Sequence, residues 1–90
     1  MMTWYIAQLH DKGAGRNKQS FYVEGETKEE ATTIAKENAA NDMDPESVSL
    51  TKTNKDEQDL KKSLFMSGLN RAVRENGEVL QRSDVDSDDF

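Results

Sequence analysis

Thr3 to Leu9 (TWYIAQL) is dense in aromatic and branched residues and is short, which predicts a strand. His10 to Lys18 (HDKGAGRNK) holds two glycines and three cations, and Gln19 to Glu24 (QSFYVE) then resumes strand character, so the first 24 residues read as a β-hairpin with a long loop. With His10 set opposite Gln19, Trp4, Ile6, Phe21 and Val23 share one face and Tyr5, Ala7, Leu9 and Tyr22 the other. Both faces of the first strand then carry apolar groups, which predicts a central strand.

Gly25-Glu26-Thr27 ends the second strand, and Thr27 with Glu30 forms a capping box ahead of a helix predicted over 28–41. Ala31, Ile34, Ala35 and Ala39 give that helix a narrow stripe of small residues suited to close contact with a sheet. Asp44-Pro45 breaks it, and residues 46–53 (ESVSLTKT) alternate, with Val48 and Leu50 inward. A right-handed crossover places this third strand beside the first, in sheet order 2-1-3. A second amphipathic helix is predicted over 57–75, with Leu60, Leu64, Phe65, Leu69, Ala72 and Val73 on one side and Asn76-Gly77 as its stop. It could lie beside the first helix, cover the tyrosine-bearing sheet face or meet a second copy of the chain. Val79 and Leu80 fasten its end. The expected fold is α+β, ββαβα, as one domain over residues 1–81. Residues 82–90 follow as an acidic tail too poor in apolar groups to order itself.

Composition narrows the function classes. At 90 residues and 33% hydrophobic content the core is thin, so a second copy or another partner would add useful buried area. No cysteine is present, which removes disulfides, thiolate metal sites and cysteine nucleophiles. Met1 and Met2 lead straight into a strand, without a basic leader or a long apolar run, so the expectation is a cytoplasmic protein without membrane association. The net charge of −6 is uneven: residues 24–46 carry eight acids against two lysines, and residues 82–90 four acids against one arginine. A pI near 4.7 disfavours binding driven by phosphate contacts.

Candidate chemistry is sparse. Gly13-Ala14-Gly15-Arg16 lies between two strands, where a phosphate-binding glycine turn would need a following helix, so it reads as a hairpin loop. His10 has no serine or carboxylate at a diagnostic spacing. The many carboxylates fall on a helix surface and in the tail, not in the buried settings that separate catalytic pKa values. The tail aspartates lack the central glycine and final glutamate of a calcium loop. No enzyme activity, cofactor or metal site is expected. The acidic run has a sharper interpretation. Glu26, Glu29, Glu30 and Glu37 can imitate the phosphate spacing of a duplex and occupy the cationic groove of a nucleic-acid-handling protein. The alternative is weak single-stranded nucleic-acid binding, with bases stacked on Tyr5 and Tyr22 beside Lys12, Arg16 and Lys18.

Asp84, Asp86, Asp88, Asp89 and Phe90, in the run SDVDSDDF, resemble the acidic C-terminal tips of bacterial and phage single-stranded-DNA-binding proteins, without the proline common before the bacterial phenylalanine. That resemblance covers eight positions and implies a protein partner with an apolar pocket ringed by basic residues. The segment FYVEGETKEEATTIAKENAA is similar to a strand-to-helix element of small bacterial and phage domains, including antitoxins of the HicB kind. This second likeness concerns folding signals and carries no functional residue. Together these features predict a non-enzymatic interaction module, a small acidic regulator or inhibitor of the phage or mobile-element type. Its partner-binding residues would be Glu26, Glu29, Glu30, Glu37, Asp84, Asp86, Asp88, Asp89 and Phe90.

Overall fold

The computed structural model describes residues 2–13, 16–66, 69 and 71–85. Strand β1 (Thr3–His10) pairs antiparallel with β2 (Lys18–Gly25), and His10 faces Lys18 instead of Gln19. The loop closes on itself and sets this register: the Asp11 N–H donates to the Asn17 carbonyl at 3.0 Å, and the Asn17 N–H donates to Asp11 Oδ2 at 3.1 Å. A shift of one residue exchanges the faces of a whole strand. Phe21 and Val23 therefore join Tyr5, Ala7 and Leu9, whereas Tyr22 joins Trp4 and Ile6. Tyr5 and Tyr22, expected side by side, lie on opposite faces.

Helix α1 (Lys28–Glu37) begins as its sequence predicts. Thr27 Oγ1 accepts from the Glu30 N–H at 3.1 Å, and Glu30 Oε2 reaches back to the Glu26 N–H at 3.3 Å. Ala31 and Ala35 are fully buried against the sheet. The contact is so close that a Cβ on Gly25 would sit 2.8 Å from the Ala31 backbone nitrogen, so glycine is required there. The helix ends four residues earlier than predicted. Asn38 caps it, donating its side-chain amide to the Ile34 carbonyl at 2.8 Å, and Arg71 Nη2 donates to the Asn38 carbonyl at 2.9 Å. That guanidinium lies 4.6 Å from the centre of the Phe21 ring and brings positive charge to the negative end of the helix. Burial holds the Arg71 pKa below its ordinary value.

After a 3-10 turn at Pro45–Ser47, β3 (Ser49–Lys52) pairs antiparallel with the free edge of β1, giving the expected 2-1-3 arrangement. Thr53 fastens its end through two bonds to the Trp4 carbonyl. The second helix departs from expectation. Helix α2 (Glu57–Met66) stops well short of residue 75, and two further strands follow, β4 (Arg71–Val73) parallel to β2 and β5 (Val79–Gln81) antiparallel to β4. The sheet is therefore mixed and five-stranded, in order β3-β1-β2-β4-β5. Ala72 and Val73, spaced as a continuation of the helical stripe, are strand residues. Asn76-Gly77 is a hairpin turn and not a helix stop: Gly77 has φ +90°, its N–H donates to the Arg74 carbonyl at 2.9 Å, and the Arg74 N–H donates to the Glu78 carbonyl at 2.7 Å.

The helices cover opposite faces. Under α1 lie Tyr5, Ala7, Leu9, Phe21, Val23, Met43 and Val73; under α2 lie Trp4, Tyr22, Ala72 and Val85, with Leu60 and Leu64 descending from the helix. Each large side chain so buried contributes about 1.5–3 kcal/mol relative to exposure. Residues 82–85, expected to open the tail, belong to the fold instead. Arg82–Asp84 form a 3-10 turn, the Gln81 N–H donates to Asp84 Oδ2 at 2.9 Å, and Val85 is only 8% exposed. Among the described residues no helix is long and apolar enough to cross a membrane.

Candidate protein-interaction surface

The N-terminal end of α1 and the turn between β4 and β5 meet at one edge of the molecule, and carboxylates gather there. Glu26 precedes the Thr27 cap and Glu29 and Glu30 occupy the first helical turn, where the partial positive charge of the helix end favours acids. Parallel pairing sets Val23 opposite Val73, so the residues that follow, Glu24 on one strand and Arg74-Glu75 on the other, run on as neighbours. The Glu75 N–H donates to Glu24 Oε1 at 3.2 Å. Carboxylate oxygens of Glu26, Glu30 and Glu75 lie within 4.8 Å of one another, all three on exposed side chains. Among the described residues none of these three enters a salt bridge; the pairs formed elsewhere are Lys36 with Glu46 and Arg74 with Glu57 and Glu78.

This crowding acts on Glu75. Its pKa is raised above the ordinary carboxylate value, first by partial loss of hydration and then by repulsion from Glu26, Glu30 and Glu24. The side chain itself remains exposed, so the carboxylate crowding is the cause that the geometry bears out directly. Three convergent oxygens suit a guanidinium or ammonium group supplied by another molecule. They would also meet part of the six to eight oxygen positions around a hard divalent ion, leaving the rest to water.

The residues expected to bind a partner do not all meet. Glu26, Glu29 and Glu30 share the α1 end, and Glu37 is exposed at the far end of the same helix. Asp84 is separate. It caps the turn after β5, on the side of the sheet covered by α2. Asp86, Asp88, Asp89 and Phe90 lie outside the described residues. Glu75 was not expected, because a helix running to residue 75 would carry it away from α1; the Asn-Gly pair between two short apolar runs was the signal that could have placed it.

The nucleic-acid alternative loses its stacking platform. Tyr5 is 8% and Tyr22 3% exposed, on opposite faces, so neither ring is presented to a base. Lys12, Arg16 and Lys18 are exposed at the hairpin loop without those rings beside them. His10 serves the fold through its backbone, donating to Ser47 Oγ at 2.8 Å and accepting from the Asp44 N–H at 2.8 Å. Comparison of the chain with protein-family models, with curated proteins and with solved structures finds no match.

Proposed function

We propose that this chain is a non-enzymatic interaction module, a small acidic regulator or inhibitor that binds a basic site on a nucleic-acid-handling protein. The observation that supports this reading is the convergence of Glu26, Glu30 and Glu75, without a salt-bridge partner among the described residues, at the end of an α1 surface that also bears Glu29 and Glu37. Two segments far apart in sequence hold like charges together there, at a cost in repulsion that an incoming cationic surface relieves. Spaced carboxylates on one rigid edge can take the place of backbone phosphates in a groove built for a duplex. Binding lowers the Glu75 pKa back toward its ordinary value, so protons are released on association and affinity rises with pH through the range in which free Glu75 titrates.

The test is a pulldown with the wild-type chain and the Glu26→Lys/Glu30→Lys/Glu75→Lys variant, each checked for folding by circular dichroism. Partners retained by the wild type, enriched in basic nucleic-acid-binding proteins and displaced by duplex DNA, should be lost from the variant. An identical partner set for both chains would remove the acidic face from the mechanism.

A further inference from the structure

We propose that β3 is the docking edge for a second copy of this chain, so that two β3 strands pair antiparallel across a two-fold axis and join both sheets into one. The direction of the backbone groups carries the argument. The Thr53 N–H donates to the Trp4 carbonyl, so Thr53 and, by alternation, Thr51 and Ser49 turn their backbone groups toward β1. Leu50 and Lys52 turn theirs away from it, and among the described residues these groups meet no hydrogen-bond partner. Nothing screens the strand: Ser49, Thr51 and Lys52 are exposed. The opposite edge of the sheet differs. On β5 the outward-pointing Gln81 N–H is taken by Asp84 Oδ2 at 2.9 Å and the chain leaves the sheet in a 3-10 turn, so too short a run remains for another strand.

The sequence of β3 complements itself. A two-fold axis through Thr51 sets Leu50 opposite Lys52 of the second copy, and each such pair exchanges both of its backbone hydrogen bonds. On the α1 face, where Leu50 is only half-buried against the core, the Lys52 stem of the second copy covers it while the ammonium stays in water. On the other face Thr51 meets its own copy and Ser49 meets Thr53, a row of hydroxyl-bearing pairs suited to cross-strand contact. Charge permits the approach. Residues 49–62 carry four lysines against three acids in a molecule of net charge −6, so the copies meet along a stretch without acidic excess. One pairing consumes the open edge of each copy, and assembly therefore closes at the dimer instead of growing into a fibre. An edge this short gives a small, reversible interface.

The chain has no cysteine, so single introduced cysteines report the register. Thr51→Cys places two sulfurs at the axis, where facing Cα atoms lie about 4.5 Å apart, within disulfide reach. Two Ser49→Cys residues would lie about 13 Å apart or more, beyond it. In a glutathione redox buffer the Thr51→Cys chain should form a disulfide-linked dimer roughly tenfold faster than the Ser49→Cys chain, or more. Lys52→Pro removes an outward N–H and spares the bonds to β1. It should abolish that cross-link and, in the otherwise unmodified chain, the concentration-dependent dimer seen by sedimentation equilibrium, with circular dichroism unchanged. Should Lys52→Pro fail to fold, the ratio of the two cysteine rates still decides. Equal rates at the two positions, or a wild-type chain that sediments as a monomer up to its solubility limit, would overturn the proposal. So would species larger than the dimer, since pairing would then use another surface.

Discussion

Beneath α1 the buried core is drawn from residues 5–43 together with Val73, whereas the α2 side joins Trp4 and Tyr22 to Leu60, Leu64, Ala72 and Val85. The first face is assembled by a hairpin and the helix that follows it, with short closures, a satisfied cap and a glycine fitted to the contact. The second closes a loop of some eighty residues between Trp4 and Val85, and the entropy of ordering so long a loop is recovered only when its last members arrive. The functional features divide along the same line. The carboxylate cluster needs both routes, because Glu26 and Glu30 come with α1 and Glu75 arrives with the late hairpin.

The sharpest challenge to this contrast is a pair of core truncations. Phe21→Ala should cost about 3–5 kcal/mol and Leu64→Ala about 2–5 kcal/mol in denaturant titrations. Hydrogen exchange separates them further: Phe21→Ala should weaken protection throughout the sheet, and Leu64→Ala mainly in α2, β4 and β5. Equal loss of protection in α1 and α2 for Leu64→Ala would show that the two faces form one cooperative unit. A smaller effect tests where the fold ends. Val85→Ala should destabilise by about 1.5 kcal/mol from two buried methyl groups, and an unchanged denaturation midpoint would return residues 82–85 to the tail.

The smallest effect concerns Glu75. A carboxyl whose pKa is raised by folding contributes stability below its unfolded pKa and loses that contribution as pH rises through the folded value. At neutral pH the wild type therefore carries a repulsion that Glu75→Gln removes. The variant should melt slightly above the wild type at neutral pH, with the gap closing on acidification through the carboxylate range. A gap that persists or widens in acid would exclude carboxylate crowding as its source.

How far the sequence announced this structure follows from how local each signal was. The Thr27–Glu30 cap, the β1–β2 hairpin and Ala31, Ile34 and Ala35 of the stripe depend on residues close together and are found where their spacing places them, whereas Ala39 lies past the end of α1; β3 beside β1 is a distant contact that followed from the handedness of the crossover. The hairpin register turned on a loop closure between Asp11 and Asn17 that alternation of apolar residues does not encode. Leu69, Ala72 and Val73 fit helical spacing, and pairing with β2, a contact across some fifty residues, decided for a strand instead. The same contact delivered Glu75 to the acidic face. Four of the expected acids could be seen without it, but their most crowded neighbour could not.

The parallel seam between β2 and β4 also orders events during synthesis. Residues 3–52 leave the ribosome able to form β1, β2, α1 and β3, yet Tyr22 has no helix above it until α2 has followed, and the outer edge of β2 has no strand beside it until residue 73 has. The nascent chain therefore passes through a stage with an open strand edge beside an apolar patch, the surface that invites chaperone capture or pairing with a neighbouring chain. The acidic residues from Glu24 to Glu46 have already emerged by then, and their like charge opposes such pairing until the last hairpin covers the edge of β2.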